Sequence, residues 1–299
     1  MPDNIEMILS DPKAIAPIEV KPSDTAERLI SMWIHGLSPQ TQERYGRTAR
    51  RFLKFVNKPL HLVALADIQG WQMTMTGLSP SSQRTAIATI KSLMSFGLKI
   101  GVLPENVGLS MRSPKARDCL HERILSEQEV AAMIATEVNL RNRTILRALY
   151  SSGLRVSELC QLKWKDSTER GESGQVTVLG KGNKIRSVLL PAGVWQEICQ
   201  LRGDACSRSA VFCSREGGEE GRHLDRTQVY RIVAASAKRA GIQFKVGPHH
   251  LRHSHASHSL EHGAPIHLVQ ATLGHSSITT TSRYLHARPN DSSGMYLPS

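Results

Sequence analysis

The sequence predicts a mainly α-helical protein with one small β-sheet, divided into two domains. Three observations lead there. Apolar residues recur at helical spacing along most of the 299 residues, as in Tyr45, Ala49, Phe52, Leu53 and Val56. The period changes to two only once, around Val176–Leu179 and Ile185–Leu189. Between the two halves runs Arg112-Ser113-Pro114-Lys115-Ala116-Arg117-Asp118, polar and without apolar period, with a central proline that suits a linker. Apolar residues make up 40% of the chain, enough for packed cores and too many for a disordered one.

The elements follow in order. Residues 1–22 form an acidic leader, and a first helix spans about Asp24 to His35, with Leu29, Ile30, Trp33 and Ile34 apolar. The tetrapeptide Gly-Leu-Ser-Pro occurs at Gly36–Pro39 and at Gly77–Pro80. Each time Ser can cap a helix and Pro fits its first position. The helix after Pro39 buries the five residues named above and carries Arg44, Arg47, Arg51 and Lys54 on another face. The helix after Pro80 buries Ile87, Ile90, Met94 and Leu98, leaving Arg84 and Lys91 outside. Residues 23–112 are therefore a small helical domain, 113–121 a linker, and 122–299 a second domain with a tail from 287.

In the second domain Ser126-Glu127-Gln128-Glu129 is a capping box. A helix from about Arg141 to Ser151 stops at Gly153, and another starts near Arg155. Two strands joined by Gly180-Lys181-Gly182-Asn183 follow, and helix resumes after Pro191. Asp225 caps a helix carrying Val229, Ile232, Val233 and Ala237. Three short helices fill the stretch from Pro248 to about His286.

Charge narrows the partners. The net charge is +12, but residues 1–34 carry three basic and six acidic side chains, 35–117 twelve and three, and 118–299 twenty-three and seventeen. The densest positive charge sits on the small helical domain, as expected of a surface that meets the DNA backbone. No run approaches the ~18 apolar residues of a membrane span. The opening Met1-Pro2-Asp3-Asn4-Ile5-Glu6 carries acid where a secretion signal carries base. Five cysteines, Cys119, Cys160, Cys199, Cys206 and Cys213, form no C-x-x-C pair and suit a reducing cytoplasm.

Four motifs in order then become specific. Tyr150-Ser151-Ser152-Gly153-Leu154-Arg155-Val156-Ser157-Glu158-Leu159 resembles the first arginine box of the tyrosine recombinases, the phage-integrase and Xer-like family. Gly180-Lys181-Gly182-Asn183-Lys184 resembles their lysine hairpin, and His249-His250-Leu251-Arg252-His253 their H-x-x-R box. Leu273-Gly274-His275, running to Arg283-Tyr284, resembles the box that ends on the nucleophile. The fit covers about residues 124–286, and the basic domain stands where the family keeps a SAM-like core-site DNA-binding domain.

The resemblance implies a two-domain, C-shaped clamp on DNA that cleaves and rejoins strands through a 3′-phosphotyrosine and a Holliday junction. It implies Tyr284 as nucleophile, Arg155 and Arg252 as the clamp on the phosphate, and Lys181 as acid to the leaving 5′-oxygen. His249 would bond the phosphate and help take the tyrosine proton, His275 would be a further phosphate donor, and Glu158 would orient the cluster. Elementary chemistry agrees. A guanidinium fork matches nonbridging phosphate oxygens, and exchange of one phosphodiester for another needs neither ATP nor a metal. Lys184 competes with Lys181 for the acid, and Tyr296 is the other late tyrosine. His255, His258 and His262 line one stripe that could hold zinc or simply pack.

The implied partners are double-stranded DNA with a specific site, three further copies of the chain on that DNA (a monomer or dimer when free), and accessory DNA-binding proteins. No cofactor is expected. The short stretch before the first helix leaves no room for a lambda-type arm-binding domain. The tail residues Met295, Tyr296 and Leu297 could anchor in a neighbouring protomer. A type IB topoisomerase and a non-catalytic DNA-binding protein on the same fold are the alternatives.

Overall fold

The computed structural model describes residues 22–114, 120, 122, 124–180, 184–214 and 223–285. Lys181, Tyr296 and the tail contacts Met295 and Leu297 lie outside the described residues, as does the acidic leader up to residue 21. The chain divides into two compact units, parting between Arg117 and Asp118.

Among its described residues the first unit holds four α-helices: α1 (Pro22–Ile34), α2 (Pro39–Val56), α3 (Leu65–Met73) and α4 (Pro80–Lys99). Both Ser-Pro pairs open helices. Ser79 Oγ accepts from the Ser82 amide at 3.2 Å, whereas Ser38 bonds the Thr41 hydroxyl at 2.9 Å and caps no amide. Ile30, Phe52, Ile68, Trp71, Ile90 and Leu93 are among the buried core residues. Trp33 stacks on Tyr45 at 5.1 Å, and Phe52 meets Trp71 edge-on at 5.2 Å.

Two expectations change here. Leu98 is 41% exposed, and Leu93 fills the core instead. The buried stripe of α4 continues from Met94 to Gly97, where a Cβ would stand 2.8 Å from Leu103, so the glycine lets the chain fold back over the helix. Helix α3 lacks a Ser-Pro signature. Its start is instead marked by Asp67 Oδ2 accepting from the Ala64 amide at 2.7 Å.

The second unit begins with α5 (Glu127–Ala135), α6 (Leu140–Ser152) and α7 (Val156–Gln161). The Ser126–Glu129 capping box closes in both directions, at 3.1 and 2.7 Å. The antiparallel sheet has the order β1-β2-β3, with β1 (Ser167–Arg170), β2 (Ser173–Leu179) and β3 (Ile185–Leu190). Val176 pairs Val188 and Leu179 pairs Ile185, the register in which both strands turn their valines inward. Strand β1, Ser-Thr-Glu-Arg, is an exposed edge with no apolar alternation, so periodicity alone does not mark it. Gly174 permits the closest approach in the sheet, because a Cβ there would lie 2.3 Å from the Trp195 ring.

Helices α8 (Ala192–Gln200) and α9 (Arg226–Arg239) follow, the latter capped by Asp225, which accepts from the Thr227 amide at 3.0 Å. The last three among the described residues are α10 (Pro248–Glu261), α11 (Ile266–Leu273) and α12 (Ile278–Ser282). Helix α10 crosses α6 through the core, so the ends of α6, α10 and α11 meet at one place.

Candidate active site

That meeting point is built on two glycines in the left-handed conformation. Gly153 (φ 59°) ends α6 and Gly274 (φ 63°) ends α11. Gly153 is further constrained because a Cβ would reach 2.7 Å from His255 and 2.8 Å from Leu273. A left-handed C-cap turns helix carbonyls outward, and the C-terminal end of a helix carries partial negative charge.

Three arginines converge on three consecutive carbonyls at the end of α11. Arg186 Nε donates to Thr272 O at 2.8 Å, Arg252 Nη2 to Leu273 O at 2.6 Å, and Arg155 Nη2 to Gly274 O at 3.3 Å. Arg252 also donates through Nη1 to Gly153 O, which pins it between α6 and α11. Arg252 is buried, and burial together with the Arg155 charge pushes its pKa down to about 10, still protonated at neutral pH.

Glu158 collects the charge behind this cluster. Its side chain is 4% exposed and accepts two bonds from Arg186, both at 2.8 Å, one from Arg155 Nη1 at 2.9 Å, and one from the Arg155 amide at 2.7 Å. Burial disfavours the carboxylate. The Arg186 fork and the Arg155 amide and guanidinium outweigh it, holding the pKa below the usual glutamate range. The carboxylate thus orients Arg155, whose side chain remains 27% exposed.

The histidines and the tyrosine complete the arrangement. His275 follows Gly274, and its Nδ1 is 2.9 Å from the Thr281 hydroxyl. A hydroxyl donating there leaves the Nε2 hydrogen for an anionic oxygen. Burial, then Arg252 and Arg155, push the His275 pKa down to about 4, so the ring is neutral near pH 7. Its ring stacks against Tyr284 at 6.4 Å and 9°. Tyr284 is 5% exposed, and burial raises its pKa against the pull of Arg252.

His249 is exposed at its edge. It lines an open groove of about 430 Å³ with Arg155, Ser157, Arg226, Thr227 and Tyr230. Surrounding protein and the charges of Arg252 and Arg155 lower its pKa. The imidazole on the Tyr284 hydroxyl is not that of His249 but that of His253, one turn further, with Nδ1 2.7 Å from Oη.

Arg155, Glu158, His249, Arg252, His275 and Tyr284 are thus gathered in one place, and Lys181 lies outside the described residues. Arg186 belongs to none of the four motifs, although the alternation of β3 contains its signal. Residues 186, 188 and 190 share the inward face, and an arginine there needs a buried anion. The candidate zinc stripe disperses. His255 Nδ1 bonds Tyr150 O at 2.7 Å, His258 Nδ1 the Tyr150 hydroxyl at 2.8 Å, and His262 Nε2 Glu127 at 2.6 Å.

In the first unit Arg47 and Arg51 line a cavity of about 310 Å³ with Trp71, Met75, Ser81 and Thr85. Arg47 pairs with Glu43, and Arg50 with Glu27 at 3.0 Å. Arg44 lies over the Tyr45 ring at 5.4 Å. Lys54 and Arg84 are exposed and Lys91 half-buried, none of them on that cavity.

Known proteins resemble this chain in sequence and fold. The phage integrase family model matches residues 123–291, more than half the chain. A tyrosine recombinase XerC from Pelobacter propionicus is 34% identical over 264 residues, covering 84% of this chain and 85% of its own. Two solved structures share the fold. The XerH site-specific recombinase bound to its difH substrate has a TM-score of 0.69 at 22% identity, over 89% of this chain and 80% of that one. A lambda integrase dimer bound to a COC′ core site has 0.73 at 17% identity, over 89% and 95%. Fold and sequence define the class as enzymes that cut and rejoin DNA at specific sites by transesterification. The chain belongs to the phage integrase family, the tyrosine recombinases.

Proposed function

We propose that this recombinase acts through Tyr284. Its phenolic oxygen attacks the scissile phosphate, forming a 3′-phosphotyrosine and releasing a 5′-hydroxyl, which a second strand's 5′-hydroxyl later reverses. Arg155 and Arg252 stabilise the charge on the nonbridging oxygens, and His275 and His249 add neutral donors. Lys181 protonates the leaving 5′-oxygen. The observation that carries this reading is the convergence of Arg155, Arg252 and Arg186 on the end of α11, with His275 and Tyr284 directly beyond it.

The substrate is double-stranded DNA carrying a specific site. Four protomers act on two duplexes, exchanging one strand pair at a time through a Holliday junction, in the cytoplasm and with accessory DNA-binding proteins. The basic helical unit grips the flanking backbone through Arg44, Arg47, Arg51, Lys54, Arg84 and Lys91, consistent with its charge surplus. No helix among the described residues is long and apolar enough to cross a membrane.

Nicked duplexes with a randomised core, incubated with the full chain, test the assignment. A nick lets the released end diffuse away, so the covalent adduct accumulates on a denaturing gel. Wild type retains DNA, Tyr284→Phe retains none, and sequencing the retained strands reads out the site. Retention by both forms, or by neither, overturns the assignment. On the recovered site, neutralising Arg47 and Arg51 together weakens binding and flattens the slope of log affinity against log salt by about one to two. Fluorescence anisotropy from low to moderate salt measures it.

A further inference from the structure

We propose that His253 holds the Tyr284 hydroxyl in the resting enzyme and takes its proton as the oxygen attacks phosphorus. This rests on Tyr284 being the nucleophile. His253 Nδ1 stands 2.7 Å from Tyr284 Oη, with the two rings 5.7 Å apart and tilted by 38°. A phenol with 5% exposure has little access to solvent bases, so its proton needs a positioned acceptor. The competing imidazoles are placed for other work. His275 lies flat against the phenol ring with its Nδ1 on Thr281, and His249 opens onto the groove.

The sequence order also fits. His253 directly follows Arg252 on α10, so one helical turn delivers both the phosphate clamp and the acceptor. His249, one turn earlier on the same face, has its ring 6.4 Å from that of His253, leading from the buried phenol towards solvent.

The step balances. The Oη–H bond breaks and the proton moves to Nδ1, a step that requires the ring to enter it neutral, with its hydrogen on Nε2. Oη bonds phosphorus as the bond to the 5′-oxygen breaks, and that oxygen takes a proton from Lys181. One cation is lost at Lys181 and one gained at His253, and religation reverses both transfers.

The test uses the nicked duplex recovered above, beside its analogue with sulfur in place of the bridging 5′-oxygen. A sulfur leaving group needs no proton, so it separates the two transfers. His253→Gln, whose amide can bond but not accept a proton, should lower the single-turnover cleavage rate by about 10²–10³-fold on both substrates. DNA affinity should not change. Lys181→Ala should be slow on the oxygen substrate and recover on the sulfur one. Added imidazole should restore His253→Ala but not the His253→Ala, Tyr284→Phe double variant, a rescue that a purely structural role would not give. The inference is overturned if His253→Gln cleaves within about threefold of wild type, if sulfur restores it, or if imidazole fails to rescue His253→Ala. An adduct on a residue other than Tyr284 would overturn the nucleophile assignment itself, and this inference with it.

Discussion

Arg252→Ala leaves DNA bound and strand cleavage lost, by about 10²–10³-fold or to below detection. Arg252 differs from the surface arginines in what holds it. It is buried, and its guanidinium donates to Gly153 O and Leu273 O, so its position relative to Tyr284 is fixed before any phosphate arrives. Such a preorganised donor pays no reorganisation cost in the transition state, which is why its loss appears in rate rather than affinity. Arg252→Lys keeps the charge but cannot span both carbonyls and a phosphate oxygen, so it should recover less than about a tenth of the lost rate. Alanine also leaves two buried carbonyls without donors, at about 1–3 kcal/mol each, so a urea melt should show destabilisation. The decisive pair of measurements is single-turnover cleavage and anisotropy on one duplex. An alanine variant that cleaves at the wild-type rate would reduce Arg252 to a structural pin.

What could be read from the sequence divides along the same physical line. Residues whose chemistry dictates their type were visible. Gly153 must adopt positive φ beside His255 and Leu273, and the Arg155, Arg252 and Tyr284 boxes carry groups that no other residue type replaces. The capping box at Ser126 and the two Ser-Pro starts were legible because the signal is local. Residues whose role is set by distant packing were not. Arg186 matters only because Glu158, 28 positions away, turns its carboxylate to meet it. His253 reads as the last letter of a motif until α12 brings Tyr284 against it, and Lys184 and Lys181 cannot be told apart by spacing in a glycine-rich turn. Leu98 shows the converse: helical periodicity admits it to the buried stripe, but it is 41% exposed and Leu103 packs against Gly97 in its place.

Glu158→Ala should be the most destabilising single change at the site. Among the described residues its carboxylate is the only acidic partner of two guanidiniums, of which Arg186 is 12% exposed, so removing it strands a buried charge. Breaking one side of such a pair costs about 3–5 kcal/mol. Glu158→Gln keeps the shape and the bond from the Arg155 amide but not the charge, and should fall in between. Cleavage should drop with either change, since Arg155 and the end of α11 lose their common anchor. The pH dependence separates this from a simple packing defect. The folded-state pKa of Glu158 lies below its unfolded value, so its contribution is fully present above the ordinary glutamate range and is lost as pH falls through the folded pKa. The gap in unfolding free energy between wild type and Glu158→Ala should therefore be constant from pH 7 down to about 5 and close progressively below about 4.3. Urea titrations across that range measure it. A gap that persists undiminished at pH 3 would mean that Glu158 supports the site by its volume, and that the three arginines at the end of α11 hold their places without it.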